Sequence, residues 1–446
     1  MNAVPPTTLL LLALAAIATL VALVTWLRLN PFLALLLAAG IVGFGAGLPA
    51  AAVLKAFADG MGATFGGIAA VIALGAMLGK LLAESGGAQV LAARFIAVLG
   101  PRRAVACIVA LAIVVGLVTW FSVGLLLLLP VLISLAHETR RPFLTLALPL
   151  VAFLSVMHGL TPPHPGPVVA IDALGANTGK VLVLAFVAGL PAAWLGGPVL
   201  ARWLAPRLAV AAPSLPAAAE SEARPRPGVA ATALVIALPV ALMLAASAAE
   251  LMFPPKHDVR AALAFAGHPV TALTIAVLAA LGVLGRAGRF SRAQLLAFSE
   301  QSVAAIGMTL LVVCAGGGFA RVLRESGVAN ALGGLAGELH LPPLVYGWLL
   351  AAFVRVATGS ATVGITTAAG LLAPVLAVHP EINRELLVLS LGFGSLVLSH
   401  LNDGGFWIVK DCLGLTVGQT LRSWTITETI IGVAGLGFTL VLSLFL

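Results

Sequence analysis

Apolar runs of membrane-crossing length, separated by short polar connections, make up most of the chain. They lie near residues 7–27, 30–50, 60–82, 103–119, 143–160, 178–201, 229–252, 269–285, 301–320, 342–356, 385–399 and 424–446. A hydrocarbon core takes about 17–25 helical residues per crossing. The pattern therefore predicts an all-α integral membrane protein with about 12 transmembrane segments. One long polar stretch, 205–228, holds Pro206, Pro213, Pro216, Pro225 and Pro227 among Ala, Glu and Arg. It reads as a flexible linker between two membrane halves, 1–204 and 229–446.

The halves repeat each other. "GAMLGKLLAESGGA" at 75–88 matches "GGGFARVLRESGVA" at 316–329, so that Glu325 follows Glu84 by 241 positions. Pro374 follows Pro130 by 244 and His400 follows His158 by 242. Each half then carries the same three features in the same order. A basic residue stands four before an acid, Lys80 with Glu84 and Arg321 with Glu325, which sets both on one helix face as a structural ion pair. Next comes an apolar stretch with a polar, Gly-interrupted start, "WFSVGLLLLLP" and "RVATGSATVGITTAAGLLAP". Last is a helix that stops at a histidine before Pro- or Gly-rich backbone, "MHGLTPPHPGP" and "SHLNDGGFW". Interruptions at corresponding places in two halves are the sequence pointer to a transporter's midplane binding site. The second feature predicts re-entrant hairpins over 120–136 and 357–378, entering and leaving on one side with their tips meeting near midplane.

Composition strengthens the membrane reading: 61% of residues are hydrophobic and 9% charged, with a mean hydropathy of +1.14, against roughly 25% charged in soluble domains. The net charge of +8 is scattered over inter-helix connections, which suits membrane orientation and not a nucleic-acid surface. Arg202, Arg207, Arg224 and Arg226 place the linker in the cytoplasm. No basic residue precedes the first apolar run, so that run is expected to stay in the mature protein. Cys107, Cys314 and Cys412 are widely spaced and read as packing residues.

Backbone chemistry explains the interruptions. Pro162, Pro163, Pro165 and Pro167 remove four N–H donors and force an extended path, leaving half-helix ends whose free N–H and C=O groups can hold ions. Arg355 precedes "TGSAT", where Gly359 allows a turn and Thr358, Ser360 and Thr362 supply hydroxyls. An intramembrane arginine implies function, and its planar fork suits a carboxylate. These features predict substrate contacts from Ser122, His158, Thr161, His164, Arg355, Thr358, Gly359, Ser360, Thr362 and Asn402. Asp403 is the expected proton-coupling group, with His400 beside it. An intramembrane metal hydrolase built on His158, His164 and Asp403 is set aside, because no HExxH helix exists and His-x₅-His across four prolines is an unusual ligand spacing. No metal, cofactor or nucleic-acid partner is expected.

At "HGLTPPHPGP", "RVATGSATV" and "SHLNDGGFW" the chain resembles the gluconate permease family over nearly its whole length. The resemblance implies a secondary transporter of the ion-transporter superfamily in the bacterial inner membrane, with paired hairpins, repeats of inverted topology and a homodimeric assembly. It implies import of a small hydroxy-carboxylate, gluconate or a related sugar acid, by proton symport; sodium coupling is the alternative. Two positions depart from the family pattern: Ser122 stands where an acid is frequent, and Gly404 where serine is commoner. Six crossings between matched elements would make the repeats parallel. Inversion therefore requires that 229–252 or its neighbour does not span, or that the first half holds an extra crossing.

Overall fold

The computed structural model describes residues 4–208, 210–213, 225–254, 256–328, 331, 341–379, 381–401 and 403–446. Among them every regular element is helical. Of the expected linker 205–228, residues 209 and 214–224 lie outside the described residues.

The first half begins with α1 (Pro6–Thr25) and α2 (Pro31–Gly45), each with proline in its first turn, where the missing N–H has no intrahelical partner to lose. Next come the long α3 (Ala50–Glu84) and α4 (Gly87–Leu99), separated by Gly86 at φ +72°. After them α5 (Ala104–Gly116) and α6 (Phe121–Thr139) are joined by the turn at 117–120. The half closes with α7 (Leu144–Leu160), α8 (Pro165–Leu174) and α9 (Thr178–Leu204). The second half presents α10 (Val229–Met252), α11 (Asp258–Gly267), α12 (Pro269–Ala287) and α13 (Arg292–Glu325). It ends with α14 (Pro343–Thr358), α15 (Ala361–Val378), α16 (Arg384–Gly394), α17 (Gly404–Cys412) and α18 (Val417–Leu442).

From α3 onward the order of the first half recurs in the second. Long α3 is matched by α13, the pair α5–α6 by α14–α15, the interrupted α7–α8 by α16–α17, and α9 by α18. Among the described residues eight helices are long and apolar enough to cross a membrane, with shorter apolar helices beside them. The expected twelve differ because several of those segments hold only shorter helices: α1, α2, α5 and α14 are among them. Three apolar helices fall in no expected segment: the shorter α4 and α15, and α6, which is long enough to span.

The first expected hairpin differs in register: residues 121–139 form one continuous helix that includes Pro130, and the turn lies before it, at 117–120. In the second, the turn falls inside the expected 357–378, at Gly359, and helix resumes over 361–378. Gly359 adopts φ +72°, a left-handed conformation open to glycine at little cost, and it reverses the chain between α14 and α15. The two arms then pack antiparallel. A Cβ on Gly364 would sit 3.3 Å from Arg355 Cβ, and one on Gly347 would sit 3.3 Å from Leu372 Cδ1.

The halves meet along α3 and α13. A Cβ on Gly60 would lie 2.8 Å from Gly318 Cα, and one on Gly318 would lie 2.7 Å from the Phe57 carbonyl oxygen. Glycine lets the backbones touch, the usual device where lipid removes the hydrophobic drive for helix pairing. Asp59 lies 3.8 Å from Arg321, whereas Lys80, near the other end of α3, sits 5.9 Å above the Phe298 ring. Rising numbers on α3 therefore meet falling numbers on α13, and these equivalent helices run antiparallel. Lys80 pairs with Glu84 at 2.8 Å and Arg321 with Glu325 at 2.9 Å, on one helix face each as their spacing requires.

The interrupted helices form the centre: across α7 and α8, 89% of the apolar window is buried. They cross at small residues, where a Cβ on Gly392 would lie 3.1 Å from the Gly159 carbonyl oxygen. Beyond each break the chain packs on the other half's hairpin, α8 on α15 and α17 on α6.

Gly318→Ala is expected to destabilise the protein by about 1–3 kcal/mol, because its methyl group would press on backbone that cannot move aside. Gly307→Ala, also on α13 but with open space around the added carbon, is expected to be neutral or stabilising through helix propensity. Denaturation of the two purified variants in one detergent checks the contrast.

Candidate functional site

Where the two breaks and the two hairpin turns converge lies a cavity of about 240 Å³. Trp120, Phe121 and Ser122 reach it from the first turn and Ala361 from the second; α7 contributes Ser155 and His158, α14 contributes Arg355, and the second break contributes Asp403 and Gly404. Thus Ser122, His158, Arg355 and Asp403, far apart in sequence, share one wall-to-wall space. Trp424 and Glu428 of α18 complete the wall.

Arg355 is 3% exposed. Its Nη2 donates to Asp403 Oδ2 at 2.6 Å, while its Nε is buried without a partner. Asp403 accepts from three donors: Arg355, the Ser399 hydroxyl, and the Gly405 N–H at 2.8 Å on Oδ1. The last bond makes it the N-cap of α17, which satisfies a donor that the helix start leaves free. Trp424 Nε1 donates to the Ser399 hydroxyl at 2.7 Å. A relay of donors from α18 through the break thus fixes the carboxylate that orients the guanidinium.

The histidines divide into two kinds. His164 is buried, with Nδ1 2.9 Å from the Thr161 carbonyl and Nε2 3.1 Å from the Thr119 carbonyl; a neutral ring donates to one of them, an imidazolium to both. It ties the first break to the first hairpin turn. His400 does the same in the second half, with Nε2 3.1 Å from the Val356 carbonyl. His158 instead lines the cavity with Nδ1 buried and unpartnered, its ring 5.0 Å from that of His164.

The hydroxyls expected at the second turn are engaged locally. Thr358 donates to the Val354 carbonyl at 2.8 Å, and the Ser360 hydroxyl accepts from the Val363 N–H at 3.3 Å. Thr161 donates to the Met157 carbonyl at 2.6 Å. Such bonds to the preceding turn or to the helix start are the common fate of Ser and Thr in membrane helices. Thr362 lies near Gly166 of α8, and Gly359 makes the turn. Neither is among the residues lining the cavity. Asn402 lies outside the described residues.

Glu428, Ser155 and Trp424 line the cavity without belonging to the expected set. Glu428 is 1% exposed, and its Oε1 is buried without a partner. The sequence does carry a signal for it: it is the sole acid of α18, within "TITETIIG", and an acid in an apolar span is a functional pointer by itself. Ser155 gives no such signal, since a serine in an apolar helix is ordinary. Ser122 and Gly404, the departures from the family pattern, both line the cavity; a Cβ on Gly404 would meet nothing within 4 Å.

Comparison with known proteins identifies the family. Residues 8–445 match the model of the GntP family permease. A gluconate permease of Pseudomonas aeruginosa is 41% identical over 442 residues, covering 98% of both chains. The Gnt-II system L-idonate transporter of Escherichia coli is 38% identical over 432 residues, covering 96% of this chain and 97% of that one. In fold, the chain is similar to the YdaH transporter of Alcanivorax borkumensis, with a TM-score of 0.61 at 18% identity over 89% of this chain and 90% of that one. The protein is a multi-pass membrane transporter and not an enzyme, and its chain belongs to the GntP family of permeases.

Proposed function

We propose that the protein imports a small hydroxy-carboxylate, gluconate or a related sugar acid, by proton symport across the bacterial inner membrane. The observation that carries this reading is the buried, half-used Arg355 at the meeting point of two broken helices. Its Nη2 is held by Asp403, and its Nε is unpartnered. A substrate carboxylate at Nε would make a charge-assisted bond, roughly twice as strong as a neutral one. The start of α17 at Gly404 opens on the same space, and a helix N-terminus favours an anion.

The rest of the wall fits a short polyhydroxy chain. His158 and Ser122 bring hydrogen-bonding side chains to the cavity, and Trp120, Leu396, Ile408 and Trp424 line it with largely apolar surface. At about 240 Å³ it is smaller than the roughly 300–1,000 Å³ of drug-sized sites, which suits a small acid. Relatives named for gluconate and L-idonate support the same substrate class. In this reading Asp403 orients Arg355, and His164 and His400 hold the hairpin turns in place. Antiparallel packing of the equivalent helices α3 and α13 supports inverted repeats, the architecture in which one half rocks against the other around a fixed site. The turns at 117–120 and Gly359 then serve as tips of hairpins that reach the midplane from opposite sides.

Uptake of labelled gluconate by proteoliposomes holding the full chain, with a pH gradient and no sodium, tests the reading. The wild type should accumulate substrate, and a strict sodium requirement would overturn proton coupling. Arg355→Gln should raise KM at least tenfold, since a charge-assisted bond contributes about 1.5–3 kcal/mol. Arg355→Lys should recover only part of this, because an ammonium cannot serve Asp403 and substrate as a fork. Unaltered uptake by Arg355→Gln would exclude the arginine from the site.

The two histidines of the first break should separate by assay. His158→Ala is expected to raise KM with little change in thermal stability. His164→Ala is expected to lower stability by about 1–3 kcal/mol, because buried carbonyls lose a donor. Melting curves and uptake kinetics on the same preparations check both.

A further inference from the structure

The geometry points to Glu428 of α18 as the group that carries the coupled proton, in place of Asp403; this rests on the symport reading above. Among the described residues, five buried side-chain polar atoms have no hydrogen-bond partner, and three of them, His158 Nδ1, Arg355 Nε and Glu428 Oε1, belong to residues that line this one cavity. Orphaned buried polar atoms are rare because each costs free energy. Three around one space mark a site completed by something that enters it.

Of the two carboxyls in the cavity, only Glu428 has an oxygen that no donor reaches. Asp403 accepts from Arg355, Ser399 and Gly405, so protonating it would remove the charge that holds the buried guanidinium. Glu428 has an oxygen without a partner, and Ser155 lines the same cavity from α7. Its charged neighbours are Arg355 and Asp403, and His158 lines the same cavity from α7. Neither the Leu195–Val199 segment of α9 nor residues 390–394 of α16, both packed near it, carries a titratable side chain.

Charge balance then links proton and substrate. Arg355 is already neutralised by Asp403, so an entering carboxylate adds an uncompensated negative charge to a buried site, and an ionised Glu428 would add a second. Buried like charges repel strongly at low dielectric. A proton taken by the Glu428 carboxylate from the solution on the open side removes one of these charges, so each ligand improves the binding of the other by the same factor. After the site turns to the other side, substrate leaves and the carboxylate returns the proton to the water there. One proton moves with one carboxylate, and no other reactant is needed.

Two helices support the placement. Thr427 donates to the Gly196 carbonyl at 3.0 Å, locking α18 onto α9 next to Glu428, and Trp424 one turn earlier holds the Ser399 link to Asp403. Glu428 therefore sits on the element that also fixes the Arg355 partner, where a change in its charge reaches the substrate site directly.

The test is gluconate transport by the full-length protein in proteoliposomes, read in three ways: accumulation under a pH gradient alone, internal acidification on adding gluconate, and exchange of labelled for unlabelled gluconate. Glu428→Gln should reduce gradient-driven accumulation at least tenfold and abolish acidification, while exchange persists and no longer depends on pH. Glu428→Asp should keep coupled uptake with a displaced pH profile, and Asp403→Asn should keep acidification while raising KM. Accumulation and acidification by Glu428→Gln at wild-type levels would overturn the assignment, as would loss of exchange in a variant whose melting temperature and size-exclusion profile match the wild type. The wild-type arm reports separately on the underlying reading: if it moves neither gluconate nor L-idonate, that reading falls and this inference with it.

Discussion

Backbone polar groups inside a membrane must find partners within the protein, since an unpaired N–H or C=O in hydrocarbon costs several kcal/mol. The two breaks and two turns of this chain are arranged around that constraint. Prolines at 162, 163, 165 and 167 remove donors outright, the His164 ring lies against the carbonyls of Thr161 in the break and Thr119 in the neighbouring turn, and Asp403 and the His400 ring serve the second break. Each broken segment is stabilised by a side chain reaching from its own interruption to its own helix start or to the neighbouring turn. This is also what keeps the breaks in the interior of the protein, crossing at Gly159 and Gly392.

The site is built asymmetrically on a repeated frame. In both halves a ring nitrogen ties a break to a hairpin turn, His164 to Thr119 and His400 to Val356. His400 matches His158 by sequence offset yet does the work of His164. The freed position, His158, lines the cavity with an open nitrogen. Charge is concentrated in the second half, where Arg355, Asp403 and Glu428 come from three different elements and meet. The chain from Trp424 through Ser399 to Asp403 and Arg355 holds the guanidinium in one orientation.

Much of the architecture can be read directly along the chain. Apolar run length identifies a helical membrane protein, the 241–244 residue offsets identify the repeat, and proline and glycine mark where helices stop. These are local properties: a proline lacks its N–H in any fold, and an apolar run of about 20 residues matches a bilayer wherever it sits. Arg355 and Asp403 are likewise identifiable because charge in an apolar span is rare enough to carry meaning alone. The second turn falls at the glycine that marks it, Gly359, because freedom to take a positive φ is a property of the residue itself. The first lies before its expected place, at 117–120, since a polar start followed by an apolar run does not say whether reversal comes before or within the run.

What only tertiary structure decided was which polar groups are used up and which are left open. Sequence cannot sort the hydroxyls of Thr358, Ser360 and Thr362; in the fold, Thr358 and Ser360 bond to the helices beside them. The pairing of Asp403 with Arg355 and the open oxygen of Glu428 arise where α14, α17 and α18 cross. Apolar run length determines that a residue lies in a membrane helix, because it depends only on neighbours along the chain. Whether a buried donor or acceptor finds a partner depends on side chains far along the chain, brought within hydrogen-bonding distance only when the helices pack.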